Sequence, residues 1–190
     1  MKKIPDNAKL VFNGVLHRVY QWDQEMFDGS IAIFEAIRRN DASTVIAVVG
    51  DKIIINNEEQ PGRKPFISFP GGASEEGEDM LENAKRELLE ETGYASEDWE
   101  LWFTTDILRA AKIEWNNHFF IARNCQKVAD QKLDPGEKIE VTLVSFEEFI
   151  ESRNHPLSRN QDLFPTLEKV ATDEVEKEKL KTLLFGTTTK

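Results

Sequence analysis

The sequence predicts one domain of the mixed α/β or α+β class. Three observations predict it: short apolar, β-branched runs recur along the chain, one strongly helical segment lies between them, and an amphipathic segment lies near the carboxyl end. The length of 190 residues suits a single domain, and 39% apolar residues are enough to build a core. We therefore expect residues 1–190 to fold as one unit.

The first part of the chain predicts β-strands. Residues 8–22 contain two strand-like runs joined by Asn13-Gly14, a dipeptide that tolerates the positive φ angles of a type I′ turn. Further strands, rich in β-branched and apolar residues, are predicted at residues 30–39, 44–49, 52–56 and 66–69. We assign residues 1–41 to an N-terminal strand extension and residues 42–152 to the core of the domain.

The best-defined helix is predicted from Asp79 to Thr92, where most residues are fair or good helix formers and Gly93 follows at a typical C-terminal cap position. Leu81, Ala84 and Leu88 form its apolar stripe, which should face the core. The later elements are strands at 100–105, 115–122 and 138–145, a short helix at 146–152, and one amphipathic helix at 165–184 within a C-terminal helical tail, residues 153–190.

Charge and cysteine content narrow the function classes. The formal net charge of −11 repels a phosphate backbone, so we expect no binding to long nucleic acid. Cys125 is the single cysteine and cannot form an internal disulfide, which suits a reducing compartment. No stretch approaches the ~18 apolar residues of a membrane helix, and no apolar run follows the N-terminal lysines. We expect a cytoplasmic protein that binds no membrane.

The middle helix places three glutamates together. Glu87, Glu90 and Glu91 are spaced i, i+3 and i+4, so their carboxylates share one arc of the helix surface and repel one another. Such a face is ordinarily only solvated. Here Gly71 and Gly72, which permit close backbone approach to a ligand, precede the helix, and this favours a site for a hard divalent cation such as Mg²⁺, with Mn²⁺ as a substitute.

A nine-position pattern surrounds these glutamates. The pattern starts at a glycine, and five intervening residues separate it from a glutamate. Seven further intervening residues separate that glutamate from an Arg-Glu pair, which is followed at short spacing by an apolar residue, two glutamates, a glycine and an apolar residue. The positions are Gly72, Glu78, Arg86, Glu87, Leu88, Glu90, Glu91, Gly93 and Tyr94. This segment resembles the signature box of the Nudix hydrolases without a gap. The resemblance implies an α/β/α sandwich with a mixed sheet, dependence on a divalent metal, and hydrolysis of a nucleoside diphosphate linked to another moiety.

The resemblance also implies roles for individual residues. Glu87, Glu90 and Glu91 would be metal ligands, the Gly72 carbonyl a further one, and Arg86 would orient the cluster. Glu78 would be an outer, supporting carboxylate. A carboxylate must also take the proton of the attacking water, and the candidates are one of the helix glutamates or Glu137, in the loop before a predicted strand.

Outside the box, residues 15–149 are most similar to the ADP-ribose and nucleotide-sugar pyrophosphatase branch, which implies a homodimer built through the N-terminal strands. Two departures from ADP-ribose hydrolases favour a nucleotide sugar instead. Ser68 stands where a glutamate is usual, and residues 107–111 replace a serine-proline-glycine element. Gly71, Gly72 and Arg63 are the candidate substrate contacts. Tryptophans on the predicted strands could stack on a base, although core packing is the more common role.

Other functions stay open. Within the family the alternative is hydrolysis of a nucleoside triphosphate or oxidised nucleotide, which the long N-terminal extension disfavours. A catalytically silent nucleotide sensor is a second alternative, but such proteins commonly lose members of the glutamate cluster that this chain keeps.

Overall fold

The computed structural model describes residues 4–106 and 112–186, so the departure predicted at residues 107–111 lies outside the described residues. The strands are β1 Lys9–Asn13, β2 Arg18–Glu25, β3 Ile31–Arg38, β4 Ala42–Val49, β5 Lys52–Glu59, β6 Phe66–Ser68, β7 Tyr94–Ala95, β8 Asp98–Asp106, β9 Ile113–Glu114, β10 Asn116–Arg123, β11 Gln126–Lys127 and β12 Lys138–Val144. The helices are α1 Met80–Thr92, α2 Phe146–Glu151, α3 Phe164–Thr172 and α4 Glu174–Phe185.

A mixed sheet lies at the centre, with strand order β12-β5-β4-β10-β8 and β6 paired to β5. The β4–β10 pair is parallel and the other pairs are antiparallel. β4 is buried along nearly all its length because helices cover both faces of the sheet, which explains its continuous run of small and apolar residues. The predicted α/β/α sandwich with a mixed sheet is confirmed.

The helices form two separate apolar clusters with the sheet. On one face, Ala84 and Leu88 of α1 pack against Val45 and Phe120. On the other face, the C-terminal helices pack through side chains including Phe149, Leu167 and Leu184 against Ile46, Val48, Phe119 and Ile121. The predicted apolar stripe of α1 is therefore confirmed, and Glu91 on the same helix reaches β5 and the loop before α1, where Asn56 and the Gly71 amide donate to its carboxylate.

The N-terminal strands form a second sheet in the order β1-β2-β3-β9. The predicted hairpin is present, but the predicted type I′ turn is wrong. Asn13 pairs with Arg18, so the loop has four residues, and neither Asn13 nor Gly14 has a positive φ. The Phe12 ring lies over Gly14, and a Cβ there would be 2.5 Å from that exposed ring, which would have to move aside.

The C-terminal segment differs from the prediction of one helix at 165–184. It forms α3 and α4, separated by Asp173, whose φ of −129° and ψ of 109° are extended values. The Asp173 carboxylate accepts hydrogen bonds from the backbone of Val175 and Glu176, so it caps α4. The helical periodicity continues across this cap, which is why the sequence alone suggests a single helix. Across residues 4–106 and 112–186, no helix has both the length and the apolar character required to cross a bilayer.

Candidate active site

Two glycines place the loop before α1 against β4 and α1. Gly71 has a φ of +146°, and a Cβ there would lie 2.1 Å from the Ser43 carbonyl oxygen. A Cβ on Gly72 would lie 2.7 Å from Oε1 of Glu87. The loop is held beside β4 because the amide of Ser43 donates to the Gly72 carbonyl at 3.0 Å. Gly71 leaves no room for a side chain, and a side chain at Gly72 would displace the Glu87 carboxylate, so the two glycines bring backbone and carboxylates together.

α1 itself is capped at both ends. Asp79 accepts hydrogen bonds from the backbone of Leu81 and Glu82, and Gly93 ends the helix with a left-handed φ of 71°. The caps fix where the helix begins and ends, and with it the direction in which the three glutamates project.

Glu91 is the most deeply buried of the three, with 6% of its surface exposed. Its Oε2 accepts hydrogen bonds from Asn56 Nδ2 at 2.9 Å and from the Gly71 amide at 3.1 Å. Burial, followed by the neighbouring Glu87 carboxylate, raises the pKa of Glu91 well above its usual value. The protein therefore holds a carboxylate here at an electrostatic cost that a cation would reduce.

Glu87 lies beside it with its side chain 14% exposed. Burial raises its pKa to about 7, against the lowering effect of Arg86, whose Nη1 is 2.9 Å from Glu87 Oε1. Glu90 is more exposed, and its Oε2 accepts a hydrogen bond from the same Nη1 at 3.0 Å. One guanidinium nitrogen thus serves two of the three glutamates.

Arg86 also anchors the loop to the helix through Glu78. Its Nε and Nη2 donate to the two carboxylate oxygens of Glu78 at 2.9 and 3.2 Å, a bidentate pair. Hydrogen bonding from Arg86 lowers the pKa of Glu78 to about 2. The same carboxylate accepts from Asn83 Nδ2 and from the Glu75 amide, so it ties the loop to α1.

The donors of this site are carboxylate and carbonyl oxygens. Within the described ranges, no three His, Cys, Asp or Glu side chains form a ready-made metal-binding group. The reason lies in the contacts above, since Arg86 holds Glu87 and Glu90 in ion pairs. The donor chemistry nevertheless suits Mg²⁺, which prefers carboxylate and carbonyl oxygens and retains several waters. The Gly72 carbonyl has one lone pair beyond its bond to Ser43.

Glu137 lies close to the glutamates although it is distant in sequence. It stands in the turn before β12, is half-buried, and accepts a hydrogen bond from the Asp134 amide at 3.3 Å. Burial raises its pKa, and its charge contributes to the raised pKa values of both Glu87 and Glu91. The fold thus brings together Glu137 and the three helix glutamates.

A further buried carboxylate was missed by the sequence reasoning. Glu58 is 4% exposed and accepts hydrogen bonds from Ser68 Oγ at 2.8 Å and Gln60 Nε2 at 2.6 Å. The prediction ended β5 at Asn56, whereas the strand continues to Glu59. Alternation along that longer strand puts Asn56 and Glu58 on the same buried face, and this is the signal that could have found both.

A cavity of about 330 Å³ adjoins the glutamate cluster. Gly71 and Gly72 border it on one side, and Arg39, Trp115 and Arg159 line the rest together with polar side chains. The Arg39 guanidinium lies 4.3 Å from the centre of the Trp115 ring, a cation–π contact. The two glycines therefore lie between the acidic cluster and a cavity whose charged lining consists of two arginines and the carboxylates of Glu58 and Asp162.

The other candidates lie elsewhere. Arg63 is exposed in the loop between β5 and β6 and does not line this cavity. Trp22 packs against Phe34, and Trp102 packs against the core.

Comparison with known proteins agrees with this architecture. The NUDIX domain model matches residues 38–167. The methanol dehydrogenase activator of Bacillus methanolicus is 30% identical over 146 residues, covering 74% of this chain and 77% of that protein. The ADP-ribose pyrophosphatase of Bacillus subtilis (strain 168) is 30% identical over 151 residues, covering 75% and 80%.

The fold is also found in a solved structure. The crystal structure of an ADP compounds hydrolase superimposes with a TM-score of 0.72 at 20% sequence identity, covering 92% of this chain and 94% of that one. At that identity the likeness shows the fold alone. The family match, however, covers more than half of the chain and includes the whole loop, helix and glutamate cluster described above. The chain therefore belongs to the NUDIX family and is a Nudix hydrolase of the pyrophosphatase type.

Proposed function

We propose that this protein hydrolyses, in the presence of Mg²⁺, the pyrophosphate bond of a nucleoside diphosphate linked to a second moiety. The products are a nucleoside monophosphate and a phosphorylated moiety. One observation carries the proposal: the acidic face of α1 and an arginine-lined cavity meet at the same two glycines, Gly71 and Gly72. The names of the similar proteins, an ADP-ribose pyrophosphatase among them, support this substrate class.

Glu87, Glu90 and Glu91, with the Gly72 carbonyl, would hold Mg²⁺ or its substitute Mn²⁺. When bound, the metal would neutralise phosphate charge and lower the pKa of a coordinated water. Arg86 would keep Glu87 and Glu90 in place through contacts of 2.9 and 3.0 Å. In this proposal Arg86 is a positioning residue, since its contacts are to the glutamates.

The proton of the attacking water needs a base close to the cluster. Glu137 is the candidate outside α1, because it is half-buried beside Glu87 and Glu91 and its raised pKa lies closer to neutrality than that of an exposed glutamate. A glutamate of α1 is the alternative. A Glu137→Gln variant that keeps metal binding but loses turnover would support Glu137.

The substrate is a nucleotide sugar, in which the second moiety is a sugar, or a compound similar to ADP-ribose. Ser68 replaces the usual glutamate of ADP-ribose hydrolases, but its hydroxyl donates to Glu58, so a buried carboxylate lies at this position from the neighbouring strand. The departure at Ser68 therefore does not by itself exclude ADP-ribose. Arg63 is a weaker candidate for substrate binding because it is exposed and outside the cavity.

A homodimer through the N-terminal sheet is part of the proposal. Leu10, Phe12, Ile31 and Ile33 on β1 and β3 are between 49% and 71% exposed, an apolar surface that a second copy of this chain would cover. Ile33→Asp should then shift the protein from dimer to monomer in sedimentation analysis, whereas a wild-type monomer would contradict the dimer. The cytoplasmic location and the absence of binding to long nucleic acid stay predictions.

The central test is a product analysis with Mg²⁺ over nucleotide sugars, ADP-ribose, dinucleotides and nucleoside triphosphates. We expect a nucleoside monophosphate from one of the first two classes. Glu91→Gln should lower turnover by about 10²-fold or more, since it removes a charged oxygen from the cluster. Glu82→Gln is the matched control, because Glu82 lies on the same helix but is exposed and paired with Lys85. No turnover of any substrate by folded, Mg²⁺-binding protein would refute the proposal.

A further inference from the structure

We propose that the cavity between Arg39 and Arg159 binds the phosphorylated sugar half of the substrate. The two guanidinium groups would hold phosphate oxygens, and Asn117, Asn160 and Asp162 would bind the sugar hydroxyls. The inference rests on the proposed function and deepens it, because it states which half of the substrate occupies the cavity and which residues select it.

The environment of Arg39 suits an anion in the cavity. Within the described part of the chain Arg39 forms no ion pair, and its polar head rests on the Trp115 ring. Burial and the nearby Arg159 charge lower the pKa of Arg39, so the two cations act on each other at close range. Two carboxylates, Glu58 and Asp162, also line the cavity, and Glu58 lies 3.7 Å from Arg159, so Arg39 is the arginine of the cavity that has a position open for an anion. In a chain with net charge −11, this pairing of arginines is a local exception that suits a phosphate.

Two aromatic residues line the cavity, Phe69, which is buried, and Trp115, and their arrangement argues against a nucleobase. Trp115 is the tryptophan that lines it, and the Arg39 guanidinium covers one face of the ring at 4.3 Å. That face is closed to base stacking. Its indole Nε1 is buried and, among the described residues, has no hydrogen-bond partner. A buried N–H donor without a partner suits an oxygen acceptor on a ligand, such as a hydroxyl or a phosphate oxygen.

The remaining wall is polar and already ordered. Asn117 Nδ2 donates to Asp162 Oδ2 at 2.9 Å, and Asn160 Oδ1 accepts from the Phe69 amide at 3.0 Å. Amide and carboxylate groups held in this way offer both donors and acceptors to hydroxyl groups. Their fixed positions lower the entropic cost of binding a polyhydroxylated ligand.

The C-terminal tail places Arg159 at the boundary between cavity and catalytic cluster. The Ile67 amide of β6 donates to the Leu157 carbonyl at 3.1 Å, and the Arg159 amide donates back to Ile67 at 2.9 Å. The Arg159 guanidinium then lies 3.7 Å from Glu58 and 5.3 Å from the centre of the Phe66 ring. A phosphate held by Arg159 would thus lie on the side of the cavity that faces the glutamates.

The first test uses the metal-free protein and needs no turnover. The ¹⁵N–¹H signal of the Trp115 indole, assigned with Trp115→Phe, is followed while ribose 5-phosphate, AMP, ribose or inorganic phosphate is added. Ribose 5-phosphate should shift this signal and bind more tightly than the other three. Arg159→Gln and Arg39→Gln should each weaken that binding by about tenfold or more, as expected for a lost charge-assisted hydrogen bond. Lys179→Gln, which removes one exposed charge on α4, is the control.

The second test uses the Mg²⁺-loaded enzyme and its best substrate. Arg159→Gln should raise KM by about tenfold while kcat changes less than threefold, and Arg159→Lys should restore part of the loss because it keeps the charge. Equal or tighter binding of AMP at the Trp115 signal, no shift with ribose 5-phosphate, or an unchanged KM in Arg159→Gln would each overturn the inference. Binding of ribose 5-phosphate without turnover of any substrate would refute the proposed function alone.

Discussion

Gly72 offers a direct test of the geometry at the cluster. Its φ is not in the left-handed region, so alanine is allowed by the backbone there, yet the new Cβ would lie 2.7 Å from Glu87 Oε1. Ordinary contact begins at 3.4 Å, so the carboxylate would have to move by about 0.7 Å. The obstacle is the end of a flexible side chain, which can move without unfolding the protein. We therefore expect Gly72→Ala to change activity rather than stability.

The magnitudes follow from that displacement. A misplacement of about 1 Å in a catalytic group costs ~10²-fold in rate, so kcat/KM should fall by roughly 10- to 100-fold. The melting temperature should move by less than about 3 °C, equivalent to less than about 1 kcal/mol. Initial rates with saturating Mg²⁺ and thermal unfolding of the same preparation measure both quantities.

Two neighbouring glycines serve as comparisons. Gly71→Ala combines a φ of +146° with a Cβ 2.1 Å from the Ser43 carbonyl, so it should destabilise the protein by about 3 kcal/mol or more. At Gly77 φ is +81°, but no atom lies within 4 Å of an added Cβ. Gly77→Ala should therefore lower the free energy of unfolding by about 1 kcal/mol and leave the activity unchanged. Wild-type kcat/KM in Gly72→Ala, or a loss of stability equal to that of Gly71→Ala, would refute the reasoning.

Three other outcomes are expected. Leu88→Ala should destabilise the protein by about 2–5 kcal/mol in urea unfolding, because Leu88 is fully buried against the sheet; a loss below 1 kcal/mol would contradict that packing. The pKa of Glu78 is lowered to about 2 in the folded protein by its ion pair with Arg86. This ion pair should stabilise the folded state by about 1–2 kcal/mol above pH 4.5, and the stabilisation should be lost as the pH falls toward 2. In Glu78→Gln this part of the acid dependence should disappear. Asn124 has a φ of 55°, so Asn124→Ala should cost about 1 kcal/mol while Asn124→Gly is close to neutral; equal melting temperatures for the two variants would argue against strain there.

Local patterns predicted most elements of the fold. α1 begins and ends within one residue of its predicted limits, because Asp79 and Gly93 cap it with hydrogen bonds that are local in sequence. The turn at Asn13-Gly14 was predicted wrongly because the hairpin loop has four residues instead of two, and neither residue has a positive φ in that loop. The break at Asp173 was missed because hydrophobic periodicity continues from α3 into α4.

The residues of the candidate site were likewise predicted only in part. The spacing in the sequence brings Glu87, Glu90 and Glu91 to one face of α1, because helical geometry alone determines which residues share a face. It does not show that Glu58 would be buried beside them or that Glu137 would approach from the turn before β12. Those neighbours depend on strand pairing between distant segments, and Glu58 was missed because β5 continues three residues beyond its predicted end at Asn56.

The sequence by itself determined the family, the acidic helix face and the two glycines, since these depend on residues within one continuous stretch. Only the tertiary structure decided that Arg39, Trp115 and Arg159 line one cavity. These three residues come from the end of the N-terminal sheet, the start of β10 and the C-terminal tail, and no local rule relates their positions. The parallel pairs β3–β9 and β4–β10 bring Arg39 beside Trp115, and the hydrogen bonds between Ile67 and the C-terminal tail bring Arg159 to the same cavity. Pairing between distant segments therefore places two arginines next to an anionic cluster.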